Sequence, residues 1–202
     1  GLVNTVSNRG FSFDTGPRAL INSGIVKPIL KELEIECEFL KNQISIGIED
    51  ELFQVNSLDD LQEYQRVLIR LYPENEIEIK HIISRIQQLS EYTQVIYEFD
   101  NPFFSDQMNN KEYVLKKLLP WTFKFIHSLV KFNQYKMPME DFLKEYTQNQ
   151  ALIDIITQHF FLKTPTYFAL GYFYVYLDYF YPRGGPGALS ELLRKKILSC
   201  GG

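Results

Sequence analysis

The chain has 202 residues, 45% of them hydrophobic and 23% charged, which is typical of a globular protein with its own core and excludes a disordered chain. The formal net charge of -4 argues against general nucleic-acid binding, and no apolar run reaches the roughly 18 residues of a membrane span. Cys37 and Cys200 are distant in sequence, which predicts a reducing, cytoplasmic compartment and no disulfide framework.

The first predicted elements lie on either side of a sharp break at residues 15–17, Thr-Gly-Pro. Before the break, Phe11–Asp14 alternates apolar and polar residues, which predicts a half-buried strand. Gly16 can adopt backbone angles that other residues avoid, and Pro17 suits the first turn of a helix. A helix is therefore predicted over Pro17–Leu33, kinked or divided by its internal proline. Its start would present N–H groups to anions; the alternative is an ordinary strand–turn–helix junction.

The next stretch is predicted to form a small sheet and then several helices. Three strand-like runs, with a hairpin turn at Glu49-Asp50, predict a small antiparallel sheet: Glu36–Leu40, Ile44–Ile48 and Leu52–Val55. Apolar residues at helical spacing then predict helices, the first of them capped by Ser57: 57–71, Ile77–Phe99, Lys111–Gln134, Met139–Thr147 and Asn149–Leu162.

The helix over Lys111–Gln134 is rich in lysine and has a single acidic residue. Its lysines at 117, 124 and 131 are seven residues apart and therefore share one face. A basic amphipathic helix with aromatic residues can lie on an anionic membrane surface, and the residues predicted to face it are Lys117, Trp121, Lys124 and Lys131. The alternative is a solvated lysine face on a helix packed within the domain.

The last third of the chain is strongly aromatic. It predicts a helix from Pro165 to near Tyr174, a strand over Tyr176–Tyr181, and a helix from Gly185-Pro186 to Leu198. The predicted fold class is α+β: a mostly helical domain with a small antiparallel or mixed sheet.

Several kinds of chemistry find no support in the sequence. The three histidines, His81, His127 and His159, have no second ligand at helical distance, so no metal site is predicted. Nucleophile-elbow and P-loop motifs are absent. The dinucleotide-binding Gly-x-Gly-x-x-Gly is also absent, so this chain alone is not expected to hold a dinucleotide.

Two stretches carry a family resemblance. Residues 10–17, GFSFDTGP, resemble the segment after the Gly-Gly-Arg motif in FAD-dependent desaturases and amine oxidases, above all the phytoene desaturase and retinol saturase group. Residues 179–189, YFYPRGGPGAL, resemble that group's strand ending in Tyr-Pro-Lys/Arg-Gly-Gly and the helix after it. Residues 1–5, GLVNT, resemble the end of the Gly-Gly-Arg-x-x-Thr motif, although Leu2 stands where arginine is usual.

The resemblance implies that the chain is a middle piece of a longer flavoprotein. Residues 1–16 would be the edge of an FAD domain, 17–183 a substrate-binding α+β domain, and 184–202 a helix returning to the FAD domain. The residues that it implies near the cofactor, with Gly16 and Gly185 against the flavin ring, are Gly1, Thr5, Gly16, Pro17, Arg18, Gly184 and Gly185. It implies a substrate channel walled by Tyr167, Tyr172, Tyr174 and Tyr176, for which the alternative role is core packing.

The function that the resemblance implies is substrate binding in an FAD-dependent oxidoreductase acting on a lipophilic, polyene-like molecule. The expected partners are that molecule, the FAD-binding domain and, peripherally, a membrane; the piece alone is expected to lack FAD and activity, and no catalytic residue is assigned. One alternative is a helical module that binds lipid or protein without redox chemistry. A third, suggested by Arg18 after FDTGP, is an amine- or porphyrinogen-oxidising flavoenzyme.

Overall fold

A computed structural model describes residues 2–17, 19–22, 24–97, 99–104 and 106–202. The strands are β1 (Thr5–Asn8), β2 (Phe11–Asp14), β3 (Leu20–Ile21), β4 (Phe39–Lys41), β5 (Ile44–Ile48), β6 (Glu51–Val55) and β7 (Tyr179–Pro182). The helices are α1 (Val26–Glu32), α2 (Leu61–Leu71), α3 (Glu76–Tyr97), α4 (Lys111–Tyr113), α5 (Leu119–Phe132), α6 (Met139–Lys144), α7 (Gln150–Thr157), α8 (Thr166–Val175) and α9 (Pro186–Ser199). The chain is α+β and mostly helical, as the sequence predicted.

The backbone divides into two compact units. The first unit contains both ends of the chain and one internal segment: 1–42, 97–118 and 178–202. The second unit contains the two stretches in between: 43–96 and 119–177. The division into FAD-domain edge, substrate domain and returning helix assigns roles rather than packing, and it stays a prediction.

The first unit contains two small antiparallel sheets. β1 and β2 form a hairpin, and β7 lies between β3 and β4 in a three-stranded sheet. Phe180 of β7 is buried. The ring of Phe39 lies edge-on to the Phe180 ring at a centroid distance of 4.7 Å, and the ammonium of Lys27 lies 4.9 Å from the centre of the Phe180 ring. This central strand therefore ties distant parts of the chain together.

The second unit holds the largest apolar core. The β5–β6 hairpin turns at Glu49-Asp50, as predicted, and contributes to a cluster whose other members come from the helices α2, α3, α6, α7 and α8. α3 buries one stripe of residues at helical spacing: Ile79, Ile82, Ile83, Ile86 and Leu89. Asp60 Oδ2 accepts hydrogen bonds from the backbone N–H groups of Asn56 and Ser57 at 2.7 and 2.9 Å, which fixes the chain just before α2.

The predicted helix over Pro17–Leu33 is wrong in its first half. Leu20–Ile21 is a strand that pairs with β7, and α1 begins only at Val26. The backbone N–H of Asn22 donates to Asp178 Oδ2 at 3.0 Å, which holds this strand in place. The anion-attracting helix start predicted at Pro17 is therefore not present among the described residues.

No helix in the described part of the chain combines the length and the apolar character that crossing a membrane requires.

Candidate functional site

The two stretches that carry the resemblance meet in the first unit. Tyr181 Oη, from β7, donates to Asp14 Oδ2 of β2 at 2.6 Å, and Thr5 Oγ1 donates to Asp14 Oδ1 at 3.2 Å. The backbone N–H of Gly187, in the first turn of α9, donates to Thr5 Oγ1 at 3.1 Å. We call the set of Thr5, Asp14, Tyr181, Gly185 and Gly187 the motif junction.

The hairpin β1–β2 is oriented by its polar face. Thr5 is paired with Asp14 across the hairpin, so both side chains lie on one face, which is the face that bonds to β7 and α9. Phe11 and Phe13 occupy the opposite face and are exposed. The strand predicted as half-buried over Phe11–Asp14 thus exists, but its apolar side is not the buried one.

Hydrogen bonding to a carboxylate changes the acid–base behaviour of the junction. The bond from its hydroxyl to Asp14, more than burial or the negative charge, raises the pKa of Tyr181. Asp14 also lies near the positive end of α9, because Thr5 links its carboxylate to the first-turn N–H of Gly187. The backbone N–H of Gly187 is therefore already bonded to Thr5 of the same chain.

Loss of this hydroxyl supplies a testable prediction. Tyr181→Phe is expected to lower the free energy of unfolding by about 1 to 2 kcal/mol at neutral pH, since a hydrogen bond to a charged group is lost. The raised pKa means that the native state holds this proton more tightly than the unfolded state. The contribution is therefore complete below about pH 10 and disappears as pH rises through the native pKa.

The measurement is urea unfolding from neutral to strongly alkaline pH. The Tyr181→Phe and Asp14→Asn variants and their double variant form a cycle in which the two losses are expected not to add. Additive losses, or a Tyr181→Phe protein with the same alkaline instability as the parent chain, would contradict the bond's role.

The glycines of the junction are required by the chain itself. Gly184 and Gly185 have φ of +89° and +88°, a region that other residues rarely adopt. A Cβ on Gly185 would lie 2.5 Å from Thr5 Oγ1 and 3.1 Å from Asp14 Oδ1. A Cβ on Gly16 would overlap the carbonyl oxygen of Leu2. The chain's own atoms, and not a flavin ring as the resemblance implied, therefore exclude a Cβ at Gly16 and Gly185. Contact of these glycines with flavin stays a prediction.

The other residues predicted near the cofactor do not all lie at the motif junction. Thr5 is part of the motif junction, and Pro17 lies between β2 and β3 without starting a helix. Gly1 and Arg18 lie outside the described residues. The sequence prediction had omitted Asp14 and Tyr181 as site residues, although both stand inside the two stretches that carry the resemblance.

The predicted channel tyrosines all belong to α8 and the turn after it in the second unit, and all are half-buried. Tyr172 lies against Phe160, Phe168 and Tyr176, with ring centroids 5.8, 5.3 and 5.1 Å away. Burial raises the pKa of Tyr176 to about 12. We call Phe160, Phe168, Tyr172 and Tyr176 the aromatic cluster. Its rings pack on one another, which is the arrangement that the core-packing alternative describes. The channel role of the tyrosines stays a prediction.

The predicted membrane residues belong to different elements of the chain. Trp121 faces inward: its Nε1 donates to the carbonyl oxygen of Val95 at 2.8 Å, and its ring stacks on Phe125 at 5.0 Å. Lys117 belongs to a π-helical turn of the first unit, whereas Lys124 and Lys131 belong to α5 of the second. The Trp121 indole therefore has contacts of its own within the second unit, and contact of the four predicted residues with a membrane stays a prediction.

Other features of the described residues do not define a site. They contain no cluster of three or more histidine, cysteine or acidic side chains that could hold a metal ion. A groove of about 780 Å³ runs beside α1, and lysines and glutamates line it together with Cys37. Burial raises the pKa of the Cys37 thiol, which disfavours the reactive thiolate.

Comparison with known proteins does not add a family: no protein-family model, curated protein or solved structure matches this chain.

Proposed function

We propose that this chain is the substrate-binding part of an FAD-dependent oxidoreductase that acts on a lipophilic, polyene-like molecule. The observation that carries the proposal is the motif junction. Two stretches resembling parts of the same enzyme group, and 167 residues apart at Asp14 and Tyr181, share a direct hydrogen bond. A chance likeness in either stretch alone would not require the two to meet.

The fit of FAD to these residues is incomplete. The Cβ sides of Gly16 and Gly185 are filled by the chain, and the N–H of Gly187 is taken by Thr5. The sequence also lacks the glycine-rich βαβ unit that binds the ADP half. The described residues therefore do not build a flavin site by themselves.

The aromatic residues of the second unit favour a lipophilic substrate in this proposal. In such enzymes the cofactor supplies the redox chemistry, while the protein binds, orients and excludes water. The aromatic cluster offers large apolar surfaces with polar hydroxyl tips, a combination suited to holding a long apolar molecule at a fixed depth. The role of these residues would be to bind and orient the substrate.

A binding titration tests the proposal. The purified chain is expected to show no visible flavin absorbance. Added retinol, a polyene, should quench the intrinsic tyrosine and tryptophan fluorescence of the chain more strongly than a saturated long-chain alcohol does. Tyr172→Ala is expected to weaken retinol binding at least about tenfold through lost ring contacts.

The control variant is Tyr113→Ala, which removes a half-buried tyrosine of the first unit that stacks on Phe99 at 6.4 Å. Equal retinol affinity for the Tyr172→Ala and parent chains, or no retinol binding at all, would contradict a polyene site at the aromatic cluster. Stoichiometric FAD on the purified chain would contradict the idea that the cofactor needs another domain.

A second candidate is a lipid- or protein-binding module without redox chemistry, which is favoured by a row of exposed apolar residues along α5. The third candidate, oxidation of an amine or porphyrinogen, rests on Arg18, which lies outside the described residues.

A further inference from the structure

We propose that α5 binds to the surface of anionic membranes through an apolar face made of Leu119, Phe123, Ile126 and Val130. We call these four residues the apolar face of α5. The proposal is independent of the flavin function, since it concerns a surface of the second unit that can act whatever the chain's chemistry. It also differs from the surface that the lysine spacing predicted, because Trp121 is not part of it.

The four side chains form one continuous row. Their spacing of four, three and four residues places them on a single line of the helix. Their exposed fractions are 45% for Leu119, 67% for Phe123, 52% for Ile126 and 57% for Val130. Single exposed apolar residues are ordinary in proteins, but a row of four along one helix marks an interaction surface.

The opposite side of α5 accounts for the helix's attachment to the second unit. Trp121 and Phe125 stack there, Ser128 is buried, and the ring of Phe132 lies 5.3 Å from that of Tyr167. The contacts on this side therefore hold α5 against the second unit. The apolar face is not required to hold the helix in place.

The charges on α5 indicate what covers the apolar face. Residues 119–132 contain two lysines, Lys124 and Lys131, and no acidic residue. Their seven-residue spacing puts both on one line along the helix, and Lys124 is exposed. An apolar row with basic residues at its flank is the pattern of helices that lie in an anionic lipid surface. A second copy of the chain would instead bring two basic helices together without an acid on either.

The first experiment is cosedimentation with vesicles. The full 202-residue chain is expected to bind vesicles of phosphatidylcholine mixed with phosphatidylserine, to bind pure phosphatidylcholine much less, and to lose binding as salt is raised. The pair Lys124→Gln and Lys131→Gln should weaken binding about 30-fold, since each basic residue contributes to attraction by an anionic surface. The pair Phe123→Ser and Ile126→Ser should weaken it at least about 30-fold, through lost burial in lipid.

Matched variants control for charge and for exposed apolar area. Lys41→Gln with Lys195→Gln removes two exposed lysines elsewhere, and Leu52→Ser with Ile77→Ser removes two apolar residues that are 74% and 72% exposed. Both control pairs should bind vesicles like the parent chain. Each variant should be shown to be folded by its circular dichroism spectrum before it is compared.

A fluorescence measurement tests the orientation of α5. Trp121 is the only tryptophan and is packed inward, so the emission of the parent chain should change little when vesicles are added. The additional indole of Phe123→Trp should shift to the blue and be quenched by brominated lipid. The proposal is overturned by equal binding to neutral and anionic vesicles, by no binding, or by vesicle binding that survives the Phe123 and Ile126 substitutions. Concentration-dependent dimerisation that those substitutions abolish, without vesicle binding, would instead assign the face to a second copy.

Discussion

Gly185→Ala is expected to lower the stability of the first unit by about 3 kcal/mol, as two separate costs add. The residue has φ of +88°, which strains any side chain by about 1 to 3 kcal/mol. The new Cβ would also lie 2.5 Å from Thr5 Oγ1. Thr5 cannot simply rotate away, because its hydroxyl accepts from Gly187 N and donates to Asp14.

The control is Gly10→Ala in the turn of the β1–β2 hairpin. Gly10 has φ of +82°, but a Cβ there would meet nothing within 4 Å, so this variant carries the conformational strain alone. The difference between the two variants isolates the collision at Thr5. Hydrogen exchange of first-unit amides is the measurement, since it reports this unit apart from the other. Equal losses in the two variants would show that the motif junction tolerates a Cβ and would refute the collision.

The expected instability of Gly185→Ala also tests whether Gly185 contacts a flavin ring. Contact with a flavin ring predicts that substituting Gly185 impairs flavin binding while the isolated chain stays stable. The structure leads us to expect instability of the isolated chain, after which any flavin loss would follow from unfolding. A Cβ at Gly184 would meet only Ala188 Cβ, at 3.4 Å, so its substitution carries the strain of a φ of +89° without the collision at Thr5.

Elements that depend on local patterns were predicted well from the sequence. α3 has a long apolar stripe, α9 begins at a proline after Gly185, and β5 alternates isoleucine with serine and glycine before the turn of the β5–β6 hairpin. Each pattern lies within the element itself, so no distant partner is needed to recognise it.

The mistaken helix after Pro17 had a different cause. Apolar residues at helical spacing continue through residues 21–33, but Leu20–Ile21 forms a strand because β7 lies beside it. That partner is about 160 residues away in sequence, and local spacing carries no sign of it. A local sign was available in Asn22, because asparagine is typical of turns; its Oδ1 accepts from Lys27 N in the first turn of α1.

The orientation of α5 could not be read from spacing alone. A seven-residue repeat shows that Lys124 and Lys131 share a line, but it does not show which other line faces the core. Both the Trp121 side and the Phe123 side of this helix are apolar. The choice depends on tertiary contacts such as the bond from Trp121 Nε1 to the Val95 carbonyl. The motif junction likewise needed the structure, because its bonds join residues from the two ends of the chain.

Gly171→Ala in α8 is expected to cost about 2 kcal/mol, although alanine favours helices by about 1 kcal/mol over glycine. A Cβ at Gly171 would overlap Thr93 Oγ1 of α3, which is buried and donates to the carbonyl oxygen of Leu89 at 2.9 Å. α8 carries Tyr172, so displacing α8 from α3 should also disturb the aromatic cluster.

Removal of the opposing hydroxyl should rescue this variant. Thr93→Ala deletes the atom that the new Cβ would meet, so the double variant is expected to recover to within about 1 kcal/mol of the parent chain. Gly47→Ala serves as the control in the same unit, because its Cβ would meet atoms only at 3.8 Å, an ordinary contact. The measurements are the urea midpoint and the near-ultraviolet circular dichroism of the tyrosines. Two outcomes would contradict this prediction: a Gly171→Ala protein as stable as the parent chain, or a double variant that loses more stability than the two single variants combined. Either would show that the close approach of α8 to α3 at Gly171 does not determine the stability of the second unit.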